Sequence, residues 1–173
     1  MKKKLLRKII LVVLAIALSM AFFLWVQRGR QGELDGPYKV AYVIDGETIA
    51  VDAGEEYALH VRLIGIDAPE SASHDESQNT SEGAIASDYM KALLLDKQVY
   101  IEFDRERKDQ YGRTLAYVYL EDRSTMVEKL LLSEGYVTMM TISPNTRYAD
   151  EFEKLRKEAQ KAGKGFWGTG YFK

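Results

Sequence analysis

Apolar and polar residues alternate in several short runs along the chain, and each such run predicts a strand. Residues 40–51 alternate weakly on either side of Asp45-Gly46, a dipeptide that favours tight turns, so this stretch predicts a β-hairpin. Residues 60–66 predict a third strand. Val99, Ile101 and Phe103 then alternate with Tyr100, Glu102 and Asp104, and residues 114–120 and 136–142 predict two more strands. In three places the period becomes helical. Residues 81–95 put Ala86, Met90 and Leu93 or Leu94 on one face. Thr125-Met126-Val127-Glu128 has the form of a capping box ahead of Leu130, Leu131 and Leu132, and Gly135 ends that helix. Residues 145–162 align Tyr148, Phe152, Leu155 and Ala159 in a stripe, and Gly163 stops the run. The polar, turn-rich residues 71–80 read as an exposed loop. Strands with helices inserted between them, and hairpin-like connections, predict an α+β domain built on a small Greek-key β-barrel.

One run does not fit a water-soluble domain. Residues 9–26 carry no charge over 18 positions, which as a helix reach roughly 27 Å, close to the thickness of a hydrocarbon core. Residues 1–8 form a basic tail before it, which points the N-terminus to the cytoplasm and the rest of the chain outside. Ala15-Ile16-Ala17 and Ala17-Leu18-Ser19 are small-x-small triplets suited to a signal peptidase, but they sit inside the run, and its end is bulky. The reading is an uncleaved single-pass anchor in the cell membrane with the domain extracellular, with secretion after cleavage as the alternative. Residues 27–37 read as a polar linker and residues 38–170 as the folded domain.

Composition narrows the chemistry. The chain has no cysteine, which excludes thiol catalysis, disulfides and thiolate metal sites. Two histidines, His60 and His74, give no ligand pattern. Seven basic residues and no acid lie in residues 1–30, so the remaining 143 residues hold 17 basic against 26 acidic side chains, a charge of about −9. A nucleic-acid partner would have to be attracted by local arginines and a bound cation, because the overall field repels it. The only basic cluster of the domain, Arg105, Arg107 and Lys108, is interleaved with Asp104, Glu106 and Asp109 and reads as a solvated loop. Trp167 reads as a packing anchor for the C-terminus.

Four stretches concentrate the candidate chemistry: Val43-Ile44-Asp45-Gly46-Glu47-Thr48-Ile49, Val61-Arg62-Leu63-Ile64-Gly65-Ile66-Asp67-Ala68-Pro69-Glu70, Asp109-Gln110-Tyr111-Gly112-Arg113-Thr114-Leu115-Ala116-Tyr117, and Gly163-Lys164-Gly165-Phe166-Trp167. Between them they offer two arginines and several carboxylates near turns and strand ends. Phosphodiester hydrolysis needs that combination. Guanidinium groups meet the negative charge gathering on the phosphate, a hard cation held by oxygen ligands neutralises more of it, and a further carboxylate orients or deprotonates water. Arg62 and Asp67 are five residues apart, so a regular strand would send them to opposite faces. Their convergence requires a bend, and Gly65 is the residue that would permit it.

In this order the four stretches resemble the staphylococcal nuclease family from about Tyr38 to Trp167. The resemblance implies a five-stranded OB-fold-like barrel with three helices, and a calcium-dependent endonuclease acting on DNA or RNA to leave 3′-phosphate ends. It implies that Arg62 and Arg113 hold the phosphate and Glu70 is the general base or water-positioning group. It also implies that Ca2+ is bound by Glu47, Asp67 and the Ala68 backbone carbonyl, with Asp45 in the outer shell. Tyr111 matches a phosphate-contacting tyrosine, and Gln110 stands where a phosphate-contacting lysine is found. The family usually has aspartate at the position of Glu47, and tyrosines where this chain has Met140 and Ile142. No obligate protein partner is implied. The alternative reading is a non-catalytic barrel of the same type, acting as a binding module at the cell surface.

Overall fold

The computed structural model describes residues 32–173 apart from Glu55 and His74, together with positions 13, 16 and 18–20. The expected basic tail and most of the expected span 9–26 lie outside the described residues. Among the described residues no helix is long and apolar enough to cross a membrane. The chain divides into a unit Met1–Glu33 and a unit Leu34–Lys173, and every element below belongs to the second.

Five strands close into a barrel in the order β1-β2-β3-β6-β5: β1 (Leu34–Val43), β2 (Thr48–Asp52), β3 (Leu59–Leu63), β5 (Gln98–Glu102) and β6 (Thr114–Leu120). All contacts around it are antiparallel except β3 with β6, which run parallel with Arg62 opposite Leu115. Closure puts Val40, Ile49, Val61, Leu63, Val99, Ile101 and Val118 inside, fully buried. Helix α1 (Ser81–Leu94) adds Met90 and Leu94 to this core, α2 (Val127–Glu134) adds Leu131 and Leu132, and α3 (Ala149–Ala162) adds Phe152. A short α4 (Phe166–Thr169) follows, where Trp167 is half-buried against Phe172 with ring centroids 5.0 Å apart, the packing role expected of it.

The expected third strand is two strands. It breaks after Leu63, and β4 (Gly65–Asp67) leaves the barrel to pair with β7 (Thr138–Met140). Gly65 sits at φ +85°, a left-handed conformation that only glycine adopts at little cost, and a Cβ there would come within 2.7 Å of the Phe152 ring. The bend that the Arg62–Asp67 spacing demanded is therefore present and rests on this residue.

Two local readings are corrected. Met126, with no side-chain cap, stands at the N-cap position of α2, so the Thr125–Glu128 capping box does not form. Thr125 Oγ1 instead donates to Asp122 at 2.5 Å, and Glu128 turns fully inward to accept the Val118 N–H at 3.0 and 3.3 Å. Likewise Asp104, part of the stretch expected to be a solvated loop, is buried, as is Glu102 before it. Arg147, just before α3, pairs with Glu102, and its backbone N–H donates to Asp104 at 3.1 Å. Tyr119 and Tyr148 donate their hydroxyls to Glu102 at 2.6 and 2.9 Å.

Burial raises the proton affinity of Glu128 well above that of an ordinary glutamate and outweighs its backbone hydrogen bonds. The folded chain thus holds this proton more tightly than the unfolded chain does. As pH rises above the ordinary value of 4.5, the unfolded state loses the proton first, and stability falls through that window. The Glu128→Gln variant is expected to lose less stability than the parent between pH 4.5 and pH 8, measured by urea denaturation across that range. Equal slopes for the two proteins would refute the assignment.

Candidate active site

The bend at Gly65 and the parallel pairing of β3 with β6 bring distant residues to one cleft of about 600 Å³. Glu47, from the loop between β1 and β2, lines it together with Arg62, Asp67, Gln110, Tyr111 and Arg113. Met140 and Ile142 form an apolar stretch of the same wall. Six of the nine residues expected at the site therefore meet.

Arg62 is nearly buried and its guanidinium is largely spent inside the protein. Nη1 donates to the Leu63 carbonyl at 2.6 Å and Nη2 to the Ile66 carbonyl at 3.0 Å, and Nη2 forms an ion pair with Glu47 at 2.7 Å. The other Glu47 oxygen accepts the Ala68 N–H at 2.7 Å. This ties the β1–β2 loop, β3 and the turn after β4 into one unit. Even so, burial pushes the Glu47 carboxyl up to about 7, against the lowering influence of Arg62 and Ala68. Asp67 is raised as well, first by burial and then by the charge of Glu70, with Arg62 opposing. Asp45 accepts the Glu47 N–H at 2.8 Å, which is its turn role.

Arg113 is held differently. Asp109 accepts the Arg113 side-chain Nε–H at 2.7 Å with one oxygen, and the Arg113 and Tyr111 backbone N–H groups with the other, both at 2.9 Å. This turn presents the guanidinium sideways, with its two terminal nitrogens unpaired among the described residues. Its carbon lies 5.6 Å from the centroid of the exposed Tyr111 ring. The hydrogen bonds from Arg113 and Tyr111 hold the Asp109 carboxyl below its usual value, although burial pushes the other way. The Asp-x-x-Gly spacing of a turn is the sequence sign of this positioning role, and Asp109, expected in a solvated loop, is instead tied into it. Asn145 is a second residue the pattern did not flag. It lines the cleft and clamps Glu106 through paired bonds of 2.8 Å to that residue's backbone N–H and C=O.

Three expected residues do not line the cleft. Asp45 and Ala68 act through Glu47, as described. Glu70 is exposed, and its carboxylate accepts the Ser71 and Ala72 N–H groups at 3.2 and 3.1 Å. Its backbone is fixed more firmly. The Glu70 carbonyl accepts the Thr80 N–H at 2.8 Å, and the start of α1 packs so closely that a Cβ on Gly83 would lie 2.1 Å from that oxygen.

Among the described residues no three carboxylates or imidazoles converge as a ready-made metal cage. The donor chemistry nonetheless fits a hard cation. Glu47 and Asp67 are both drawn out of water, Asp45 adds to their mutual repulsion, and a single guanidinium offsets them. The available donors are oxygens, as calcium prefers, and backbone carbonyls and water would complete the shell.

Residues 60–169 match the family model described as Staphylococcal nuclease homologue. The chain is 37% identical over 174 residues to a thermonuclease of Staphylococcus hyicus, covering 98% of this chain and 100% of that relative. It is 36% identical over 168 residues to a thermonuclease of Staphylococcus intermedius, covering 90% and 94%. It is 35% identical over 131 residues to the endonuclease YncB of Bacillus subtilis strain 168, covering 74% and 60%. A match of this extent, over a barrel whose cleft gathers both arginines of the motifs, makes the chain a member of the staphylococcal nuclease family.

Proposed function

We propose that the chain is a calcium-dependent endonuclease that hydrolyses phosphodiester bonds of DNA or RNA on an OB-type barrel. The observation that carries this reading is that Arg62 and Arg113, 51 positions apart, line one cleft with the desolvated carboxylates Glu47 and Asp67. The thermonuclease and endonuclease names of its relatives support it.

Arg113 grips the non-bridging phosphate oxygens with its two unpaired terminal nitrogens, and Arg62 provides positive charge at the back of the cleft. Asp67, Glu47 and the Ala68 carbonyl would hold calcium, with Asp45 steadying Glu47. When bound, the cation supplies charge that neutralises the phosphate. Glu70, whose charge already reaches Asp67, swings from its own loop to orient the attacking water and accept its proton. The water oxygen bonds to phosphorus, the bond to the 5′ oxygen breaks, and that oxygen takes up a proton from solvent, so a 3′-phosphate and a 5′-hydroxyl result. The apolar run 9–26 supports anchoring at the membrane with the domain outside, or secretion if that run is cleaved.

The test is cleavage of single-stranded DNA and RNA by the purified protein, with calcium and with chelator. Cleavage with calcium and its loss to background on chelation are expected. Absence of cleavage with calcium would favour the binding-module reading, which the tight pairing of Glu47 with Arg62 and Ala68 otherwise supports.

A further inference from the structure

A second groove, of about 460 Å³, lies on the other flank of the turn that carries Arg113. Tyr111 and Arg113 line both hollows, so the two are neighbours across that guanidinium. The far wall is aromatic. Tyr42 comes from β1, His60 from β3, and Tyr57 from the loop between β2 and β3. Tyr42 and His60 both pair with the small, buried Ala50 between them. Their rings meet edge to face at 6.2 Å, and the Tyr42 hydroxyl shares a hydrogen bond with His60 Nε2 at 3.1 Å, which fixes both rings.

We propose that this groove is a stacking subsite for a nucleobase of a single-stranded substrate, next to the phosphate held by Arg113. The proposal rests on the nuclease reading above and extends it to the path of the chain beyond the cut. Three observations carry it. Tyr42, Tyr57 and Tyr111 are 46%, 77% and 75% exposed around one hollow, while Tyr100 and Tyr117 of the same barrel are buried. Exposed rings gathered at one spot mark a binding surface. None of the described residues lining the groove is acidic, although the domain as a whole carries a charge of about −9. Among the described residues lining the groove, Arg113 is the one full positive charge, so the groove suits a polyanion better than the acidic domain as a whole does. The catalytic cleft itself offers the exposed aliphatic side chains of Met140 and Ile142, which have no π-face on which a base could stack. The volume lies within the range of pockets that hold nucleotide-sized ligands.

The experiment compares a long oligothymidylate with a dinucleotide on the full chain, reading kcat/KM with calcium and binding by fluorescence anisotropy. Stacking on one ring is worth about 1–3 kcal/mol. In Tyr57→Ala the ratio of kcat/KM for the long substrate over the dinucleotide is therefore expected to fall about tenfold, mostly through KM. Tyr57→Phe, which keeps the ring, is expected to keep the ratio. Tyr57 is a mostly exposed loop residue, so its truncation leaves the core intact, and the urea midpoint verifies this. An unchanged ratio in Tyr57→Ala, with the parent active, would overturn the subsite and leave the nuclease reading standing. A parent protein that neither binds nor cuts either substrate would overturn both.

Discussion

Replacing Arg113 by alanine is expected to lower kcat by about two to three orders of magnitude while leaving the melting temperature within a few degrees. The two arginines of the cleft are not equivalent. Arg62 spends its donors on Leu63, Ile66 and Glu47, whereas Arg113 is anchored through Nε and leaves its terminal nitrogens to the cleft. The group free to follow charge onto the phosphate is therefore Arg113. Its ion pair with Asp109 is partly exposed at 32% and 16%, and such pairs contribute about 0–1 kcal/mol to stability. Activity should fall without unfolding. Arg113→Lys should recover only a small part, because lysine has neither the Nε held by Asp109 nor a planar pair of donors. Arg62→Ala should lose both activity and stability, since it leaves Glu47 buried beside Asp67 without its counter-charge. Steady-state kinetics and thermal melts on the three variants check the pattern. A large fall in melting temperature for Arg113→Ala would refute the division of labour.

The second large effect concerns stability. Arg147→Met is expected to destabilise the domain by about 3 kcal/mol, which for its size lowers the melting temperature by about 10 °C. Methionine keeps much of the stem packing but leaves Glu102 and Asp104, whose side chains are 3% and 4% exposed, without a cation. The Tyr119 and Tyr148 hydroxyls still solvate Glu102, which holds the loss to the lower end of the range for a broken buried pair. Adding Glu102→Gln in the same chain should recover part of the loss, because the stranded charge is then removed. A double variant no more stable than Arg147→Met would show that the cost lies in packing rather than charge.

The sequence was legible where the physics is local. Alternation marked the barrel strands. The five-residue spacing of Arg62 and Asp67 demanded a bend, and Gly65 supplied it. Where two solutions share one local pattern, the pattern misled. Thr-x-x-Glu serves a helix cap or, as at Glu128, a buried acid bonded to a neighbouring strand, and only the fold chooses. Arg147 sits beside Glu102 and Asp104 from 45 and 43 positions away, so no spacing rule joins them. The stretch 145–148 instead looked like the first turn of α3, which begins at Ala149. Motif order picked out both arginines, Glu47, Asp67, Gln110 and Tyr111, which the fold brings to one cleft. The anchoring of Arg113 by Asp109 and the bonding of the exposed Glu70 carboxylate to its own loop depend on hydrogen-bond geometry that sequence order does not carry.

The contact between the Glu70 carbonyl and the first turn of α1 has a consequence for heating. Thr80 and Gly83 set where the acid-bearing turn lies, and helix ends open more readily than barrel strands. Warming would then fray this turn and scatter the carboxylate proposed to position the water while the barrel is still closed. Turnover would thus fade through a reversible local melting at temperatures where most of the polypeptide is still native.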